Sequence, residues 1–472
     1  MSIRALGKQS LIYGFGHIIS RIITFLLLPL YTNIFTPTEY GVISLAYAFI
    51  GFALMLYRYG TDTALMKFYS QTENDKSTYF TTILIMQILS GIAFSGFLIL
   101  FSKHLSPILL GTHDSLILIL IAGILLFDTL WTLAAIVLRS EEKPFSFVGL
   151  NLINVIGTLV LNVFFVLTLK YGIRGVLFSN LIVSFTLVLI LTPFFFKRFS
   201  FSTISTEILK KVFWFALPFL PAGIFTMVLE LSNRYFLKWL TDTATVGIYS
   251  AGYKLGMFGL LMVMGFNMGW TPYFLKQRDN PDVKPLFARV AKYFLGLQGF
   301  VSIVLILWID TIIRSSLFGI SFFGPGFWSS TQIMPLILLG YMFFAIYVLQ
   351  HPAIYHTDNT KWVAMFRGVS ALVAIVLNLA LIPYWGIMGS AWASVIAYAS
   401  MALSIYLKTR KIYPVPYSFI GIIFPILCVI VVMVIPASLL VKLLIPFIYL
   451  VVWIMFILTA EERKSIKQMV LR

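Results

Sequence analysis

Charged residues, cysteine and long polar segments are all scarce in this sequence. Asp, Glu, Lys and Arg make up 11% of the 472 residues, whereas a soluble protein carries roughly 25%. The single cysteine, Cys428, can form neither an intrachain disulfide nor a thiolate metal site, and the five histidines show no metal-ligand spacing. These shortages exclude a soluble enzyme, a nucleic-acid-binding module and a large catalytic domain outside a membrane.

Apolar residues are abundant instead. They form 60% of the chain, which is close to what fourteen membrane helices of roughly 20 residues each would need. The apolar segments are continuous runs rather than alternating stretches, which favours helices over the strands of a β-barrel. The predicted spans are 11–31, 41–59, 79–101, 115–138, 146–169, 173–196, 212–236, 246–274, 290–313, 331–355, 364–383, 387–407, 418–435 and 438–458.

The lysines and arginines orient these spans. If the N-terminus is cytoplasmic, 25 of the 34 basic residues fall in inward-facing segments and six in outward-facing ones, as the positive-inside rule requires. The net charge of +17 therefore reflects topology rather than a nucleic-acid partner. We predict an all-α integral membrane protein with about 14 transmembrane helices and both termini in the cytoplasm.

An internal repeat divides the predicted helices into two sets. Gly41–Tyr47 and Gly247–Tyr253 read alike at an offset of 206 positions, at the start of helices 2 and 8. A second pair of similar segments contains Asn162 in helix 5 and Asn378 in helix 11, at an offset of 216. Because six helices separate equivalent elements, the two sets have the same orientation in the membrane.

The repeat gives the predicted domain organisation. Residues 1–200 form an N-terminal lobe of helices 1–6, residues 201–410 form a C-terminal lobe of helices 7–12, and residues 411–472 form helices 13 and 14 with a cytoplasmic tail. Two parallel six-helix lobes are typical of secondary transporters, in which a central site opens to alternate sides of the membrane.

Three basic residues inside or at the ends of the spans are the predicted substrate-binding residues. Arg21 lies in helix 1, Arg58 near the inner end of helix 2, and Lys254 in helix 8. A cation at membrane depth needs a partner or a water-filled cavity, and cations in both lobes suit a phosphate or pyrophosphate. The alternative for Arg58 is that it extends to the lipid headgroups.

Other polar residues on the predicted helices are candidates for lining the cavity or for coupling transport to an ion. They are His17, Asp62, Asp128, Glu230, Asn233, Ser250 and Asn267. Glu230, Asp128 and Asp310 are also candidates for ion pairs with the deep cations, and buried asparagines often serve as hydrogen bonds between packed helices. No metal or organic cofactor is predicted, and H⁺ or Na⁺ is the candidate coupling ion.

One segment resembles a known family. Pro29-Leu-Tyr-Thr-Asn-Ile-Phe-Thr-Pro-Thr-Glu-Tyr-Gly-Val-Ile-Ser44 is similar to the N-terminal pattern of polysaccharide-export flippases in the multidrug/oligosaccharidyl-lipid/polysaccharide exporter superfamily, and Leu217–Tyr253 is similar to its second-half counterpart. The resemblance implies two six-helix lobes around a central cavity and export of undecaprenyl-pyrophosphate-linked oligosaccharide. The related lipid II flippases have essential cations in helices 1, 2 and 8, which Arg21, Arg58 and Lys254 match in helix and approximate depth.

The predicted function is a flippase rather than an enzyme. It would move lipid-linked oligosaccharide repeat units from the cytoplasmic to the outer leaflet of the bacterial cytoplasmic membrane by alternating access, for surface polysaccharide biosynthesis. Membrane lipids, a polysaccharide polymerase and a chain-length protein are the candidate partners. The main alternative is a cation-coupled multidrug exporter of the same fold, whose cavity would favour carboxylates and aromatic residues. A membrane glycosyltransferase is disfavoured because the sequence has no Asp-x-Asp motif and no large outward loop.

Overall fold

The structure, a computed structural model, describes residues 3–464 except 72–74, 201–204, 278–282, 318–319, 360 and 437. For residues 3–15, 17, 18, 70, 71, 222, 317 and 320 only the backbone is described. The described chain is almost wholly helical, which confirms the predicted all-α class. Its helices are α1 (Ile3–Ile34), α2 (Pro37–Arg58), α3 (Thr61–Gln71), α4 (Lys76–Leu100), α5 (Ser102–Leu110), α6 (Ser115–Ser140), α7 (Pro144–Asn162), α8 (Gly172–Ile190), α9 (Thr192–Arg198), α10 (Thr206–Ala216), α11 (Phe219–Leu240), α12 (Thr243–Lys276), α13 (Val283–Arg314), α14 (Met334–Leu349), α15 (His351–His356), α16 (Lys361–Ile412), α17 (Phe419–Val432) and α18 (Leu439–Val452).

Three short helical elements and two short strands accompany these helices. The π-helical turns Val163–Thr168 and Trp453–Ile457 extend α7 and α18, and the 3₁₀ helix Pro325–Ile333 leads into α14. A two-residue antiparallel ladder pairs Ser316–Leu317 with Ile320–Ser321.

Within the described residues, ten helical segments are long and apolar enough to cross a membrane. An eleventh results if α10 and α11, which meet at a bend of 43°, are one broken span. The 52-residue α16 counts once among the ten, although Gly386, with φ 52° and ψ −127°, divides it into two arms. The chain is thus a multi-pass membrane protein, while the number of fourteen spans stays a prediction.

The chain divides into two compact units. The first contains Met1–Ser250 together with Asn378–Gly386, and the second contains Ala251–Leu377 together with Ile387–Arg472. An apolar core cluster in the first unit joins α3, α4, α6 and α10 and includes Leu65, Phe80, Leu133, Val212 and Ala216. The lobe boundaries proposed from the repeat, at residues 200 and 410, stay predictions.

A capping box explains where α2 begins. The Thr36 side chain accepts a hydrogen bond from the Glu39 backbone N–H, and the Glu39 carboxylate accepts one from the Thr36 backbone N–H at 2.9 Å. Pro37 occupies the first turn, where its missing N–H has no helical partner to lose. The Thr-Pro-Thr-Glu motif in the recognised N-terminal segment is therefore a helix start signal.

The glycines of the repeat mark a close backbone contact between α2 and α12. A Cβ at Gly41 would lie 2.0 Å from the carbonyl oxygen of Thr243, and a Cβ at Gly247 would lie 1.9 Å from that of Pro37. Pro37 and Thr243 are themselves 206 positions apart, like the two glycines. The contact is thus pseudo-symmetric, and no residue with a side chain fits either position.

Three connections of the first unit meet at one end of its helices. Arg198, at the end of α9, donates from Nη2 to both carboxylate oxygens of Glu141, at 2.8 and 3.0 Å, and Tyr69 of α3 donates to Glu141 at 2.8 Å. Burial alone would raise the pKa of the Glu141 carboxyl, but hydrogen bonds from Lys143, Arg198 and Tyr69 outweigh it and lower this pKa to about 2. The segments after predicted spans 2, 4 and 6 therefore share one end, as the positive-inside count requires.

The segments after predicted spans 3, 5 and 7 also meet. Lys238 in the last turn of α11 donates to the backbone carbonyls of Pro107 and Ile108 in α5. Arg174 at the start of α8 donates to Asp114, which precedes α6, at 2.7 Å. This grouping agrees with strict alternation of the helices through the first unit.

A buried ion pair anchors the last described residues to the second unit. Lys292 of α13 donates to the Glu462 carboxylate at 2.5 Å, and both side chains are less than 10% exposed. Glu462 also accepts from the Thr459 backbone N–H at 2.8 Å. Burial raises the pKa of Glu462, but the bonds from Lys292 and Thr459 outweigh this effect and lower the pKa below its usual value.

Candidate functional site

The three predicted substrate-binding cations lie on three helices. Arg21 is on α1 and Arg58 ends α2, both in the first unit, whereas Lys254 is on α12 in the second unit. All three side chains are partly buried, and Arg21 and Lys254 both interact with other groups of the protein. A partly buried cation in an apolar helix requires a polar environment, so each position agrees with a ligand-facing role, which stays a prediction.

Arg58 is directed towards the neighbouring helices. Its Nη2 donates to Oγ1 of Thr132 on α6 at 3.0 Å, and its Nη1 lies 3.5 Å from Oδ2 of Asp62 on α3. Its Nε is buried and has no hydrogen-bond partner among the described residues. Since 18% of the side chain is exposed, Arg58 is held inside the first unit rather than extended freely to the headgroups.

Asp128 of α6 is the centre of a polar network that the sequence only partly indicated. Its Oδ1 accepts hydrogen bonds from Ser184 Oγ of α8 at 2.5 Å and from Trp131 Nε1 at 2.8 Å. Asp128 also interacts electrostatically with Arg58. The structure therefore brings together three of the predicted residues, Arg58, Asp62 and Asp128.

The network also includes residues outside the set of predicted site residues. Tyr47 of α2 interacts with Asn180 of α8 and with Asp128, and Asn180 accepts from Ser184 at 3.4 Å. A usable signal was present, because Asn180 and Ser184 are four residues apart and therefore share one face of α8. What the sequence could not give was that this face of α8 meets Asp128.

Asn233 of α11 forms a buried asparagine pair. Its Nδ2 donates to the Tyr249 hydroxyl at 2.6 Å, and its Oδ1 accepts from Asn378 Nδ2 at 3.0 Å. Both asparagines are essentially inaccessible, at 1% and 0% exposure. In the other half of the sequence the fully buried Asn162 accepts from the Tyr31 hydroxyl of α1 at 2.7 Å. Each repeat asparagine thus bonds to an early helix of its own half, which favours a helix-packing role.

The remaining candidates lie on α11 and α12. Ser250 is buried and its hydroxyl has no hydrogen-bond partner in the described part of the chain. Asn267 accepts from Thr271 Oγ1 at 3.0 Å. The partly buried Glu230 accepts at its backbone carbonyl from Arg234 Nη1 at 2.9 Å.

Two further residues complete the predicted set. His17 lies on α1, but its side chain is outside the described part of the structure. Asp310 is exposed one turn before the end of α13. Asp310 is not part of the Asp128 network described above.

The chain matches a family of polysaccharide biosynthesis proteins over residues 6–277, which is more than half its length. Among solved structures, "Lipid II flippase MurJ, inward closed conformation" is similar with a TM-score of 0.75 at 16% identity, over 93% of this chain and 97% of that one. An outward-facing multidrug resistance MATE transporter of the MOP superfamily matches with a TM-score of 0.60 at 13% identity, over 87% and 97% of the two chains.

A third similar structure is that of a MOP superfamily transporter from Pyrococcus furiosus, which is described as having a binding pocket of reversed polarity. It matches with a TM-score of 0.60 at 12% identity, over 86% of this chain and 95% of that one. A search of curated proteins finds no match. The similar structures establish the fold, and the sequence family narrows the class of protein. This chain therefore belongs to the polysaccharide biosynthesis protein family, and it has the fold of the lipid II flippase and MATE transporter structures.

Proposed function

We propose that this protein moves undecaprenyl-pyrophosphate-linked oligosaccharide repeat units from the cytoplasmic to the outer leaflet by alternating access, for surface polysaccharide biosynthesis. The observation that carries the proposal is the match to polysaccharide biosynthesis proteins over residues 6–277. The alternative is a cation-coupled multidrug exporter of the same fold, but the family match contains all three predicted cations, Arg21, Arg58 and Lys254.

Arg21, Arg58 and Lys254 are proposed to bind the pyrophosphate. A pyrophosphate diester carries two negative charges and needs charge-assisted donors wherever it leaves water. Arginine offers a planar fork of donors that matches phosphate oxygens, and lysine acts as a compact point charge. The partial burial of all three side chains supports this role, because electrostatic attraction strengthens as water is excluded.

An apolar groove on the second unit suits the lipid part of such a substrate. It has a volume of about 410 Å³ and is lined by α13, α17 and α18. Leu427 and Val431 of α17 and Ile448 of α18 line it and are each about half exposed. In a membrane these side chains face hydrocarbon, so a prenyl chain can lie along the groove without contacting water.

The proposed setting is the bacterial cytoplasmic membrane with both termini in the cytoplasm, as the basic residues predict. A polysaccharide polymerase and a chain-length protein are proposed as partners, because the flipped repeat unit must be polymerised on the outer side. Coupling to H⁺ or Na⁺ is part of the proposal, and no organic cofactor is invoked.

The test is leaflet exchange in proteoliposomes of a fluorescent undecaprenyl-pyrophosphate oligosaccharide. Wild-type protein should exchange the lipid, and Arg21→Ala and Lys254→Ala should each slow exchange at least tenfold while folding normally by gel filtration. Tyr384→Ala is the control, because Tyr384 is 84% exposed. Exchange that is unaffected by both cation variants would refute the assigned binding residues. Absent exchange with efflux of a cationic dye would favour the multidrug exporter instead.

A further inference from the structure

Asp128 is an isolated acid in the middle of an apolar helix. It is the only Asp or Glu in α6, and it lies thirteen residues after Ser115, or about 20 Å along the helix axis. An ionisable residue at such depth is unfavourable unless it is paired, and it typically marks an ion pathway or a proton relay.

The hydrogen bonds of Asp128 leave one carboxylate oxygen for a proton. The bonds from Ser184 and Trp131 both end on Oδ1, so Oδ2 accepts no hydrogen bond from the described residues. The side chain of Asp128 is partly rather than fully buried. The two donors fix the orientation of the carboxylate in either protonation state, because a protonated acid still accepts at its carbonyl oxygen.

The charges around Asp128 can be counted from the helices that pack against α6. Arg58 and Tyr47 face it from α2, and Asp62 lies beyond Arg58 on α3. The part of α4 after Tyr79, all of α7 and the part of α8 after Arg174 contain no titratable residue. Lys67 and Tyr69 of α3 and Lys103 and His104 of α5 are on helices that also pack against α6, but none of them interacts with Asp128. With Asp128 ionised, the three charged groups sum to −1, and with Asp128 protonated they sum to zero.

We propose that Asp128 is a proton-binding site linked to anion binding at Arg58. An ionised Asp128 attracts Arg58 and repels an incoming phosphate. Protonation at Oδ2 removes that charge and leaves Arg58 to be shared between Asp62 and the ligand. By thermodynamic linkage, an anionic ligand in turn favours proton uptake by Asp128. The ion linked to substrate in this proposal is H⁺. This inference rests on the proposed function for its ligand, but not for the existence of the proton site.

The first test measures affinity against pH with full-length purified protein. The probe is a short-chain prenyl-pyrophosphate oligosaccharide, a diester that lacks the phosphate monoester ionisation near pH 6. The wild-type affinity should rise as pH falls, by up to about tenfold per pH unit. Asp128→Asn keeps the Oδ1 acceptor for Ser184 and Trp131 and should bind with a pH-independent affinity. Asp310→Asn, at an exposed acid, should follow the wild type.

The second test observes the proton without any ligand. Infrared difference spectra between wild type and Asp128→Asn should contain a carboxylic C=O band that is lost as the pH is raised. Ser184→Ala should change the pH at which this band is lost, because the ionised carboxylate then lacks the hydrogen bond from Ser184. A titrating band without probe binding would refute the proposed substrate and support the proton site. The inference would be overturned if this band were absent. It would also be overturned if the affinity of Asp128→Asn for the probe changed with pH as steeply as that of the wild type.

Discussion

Gly247→Ala tests whether the repeat glycines are required by the contact between α2 and α12. The new Cβ would lie 1.9 Å from the Pro37 carbonyl oxygen and 3.0 Å from the Gly41 nitrogen. Ordinary contact begins at 3.4 Å, so the backbones would have to separate by about 1.5 Å. Both clashing groups are backbone atoms, and no side-chain rotation can relieve the overlap.

The expected loss can be estimated from two opposing effects. Overpacking of this kind destabilises by about 1–3 kcal/mol, and a backbone clash belongs at the upper end. Replacing a glycine inside a helix by alanine stabilises the helix by about 1 kcal/mol, because alanine has the higher helix propensity. The net loss is therefore about 2 kcal/mol. Gly41→Ala, which meets the Thr243 carbonyl oxygen at 2.0 Å, should lose a similar amount, and the double variant should lose less than the sum because both changes open one contact.

Thermal unfolding in detergent measures the effect, with Gly269→Ala as the matched control. Gly269 is also in α12, but a Cβ there would meet nothing within 4 Å, so its substitution should leave the midpoint unchanged or raise it. Gly247→Ala should lower the midpoint by about 2 °C, since a chain of this length loses about 1 °C per kcal/mol. Equal midpoints for Gly247→Ala and Gly269→Ala would refute the close contact.

Three other variants probe separate parts of the chain. Glu141→Gln should lower the free energy of unfolding by about 2–3 kcal/mol at neutral pH. The wild type should lose the same contribution as the pH falls from about 4.5 towards the lowered Glu141 pKa of about 2. Wild type and variant with parallel pH profiles of thermal stability would contradict this. Lys292→Met alone leaves the buried Glu462 carboxylate without its cation, so it should destabilise the protein more than Lys292→Met combined with Glu462→Gln. A lower thermal unfolding midpoint for the double variant than for Lys292→Met would count against the ion pair. Lys103 is predicted to lie on the outer side of the membrane and Glu142 on the inner side. In intact cells, with the native cysteine replaced, a membrane-impermeant maleimide should therefore label Lys103→Cys but not Glu142→Cys. Labelling of Glu142→Cys alone would show that the orientation is opposite to the proposed one.

Much of the fold was predictable because the relevant signals are local. Long apolar runs and the positions of lysine and arginine follow from the cost of placing polar groups in hydrocarbon. The similarity of Gly41–Tyr47 to Gly247–Tyr253 was visible in the sequence, but its physical reason was not. The reason lies in the three-dimensional packing, in which each glycine faces a backbone carbonyl group from the other copy of the repeat.

The site was less predictable because it depends on which helix faces meet. Arg58, Asp62 and Asp128 were all candidates, but their connection through Thr132 and Ser184 requires the packing of α2, α3 and α8 against α6. Spacing along one helix predicts neighbours on that helix only. The asparagines show the same limit, since the sequence could not reveal that Asn378 bonds to Asn233.

The most direct test of the central claim places two substrates in the same proteoliposomes. Wild-type protein is reconstituted with a fluorescent undecaprenyl-pyrophosphate oligosaccharide in the membrane and a cationic dye in the lumen, and leaflet exchange and dye efflux are followed together. The account predicts rapid exchange of the lipid with no dye efflux above that of protein-free vesicles. Dye efflux without lipid exchange would contradict it and identify the protein as a multidrug exporter.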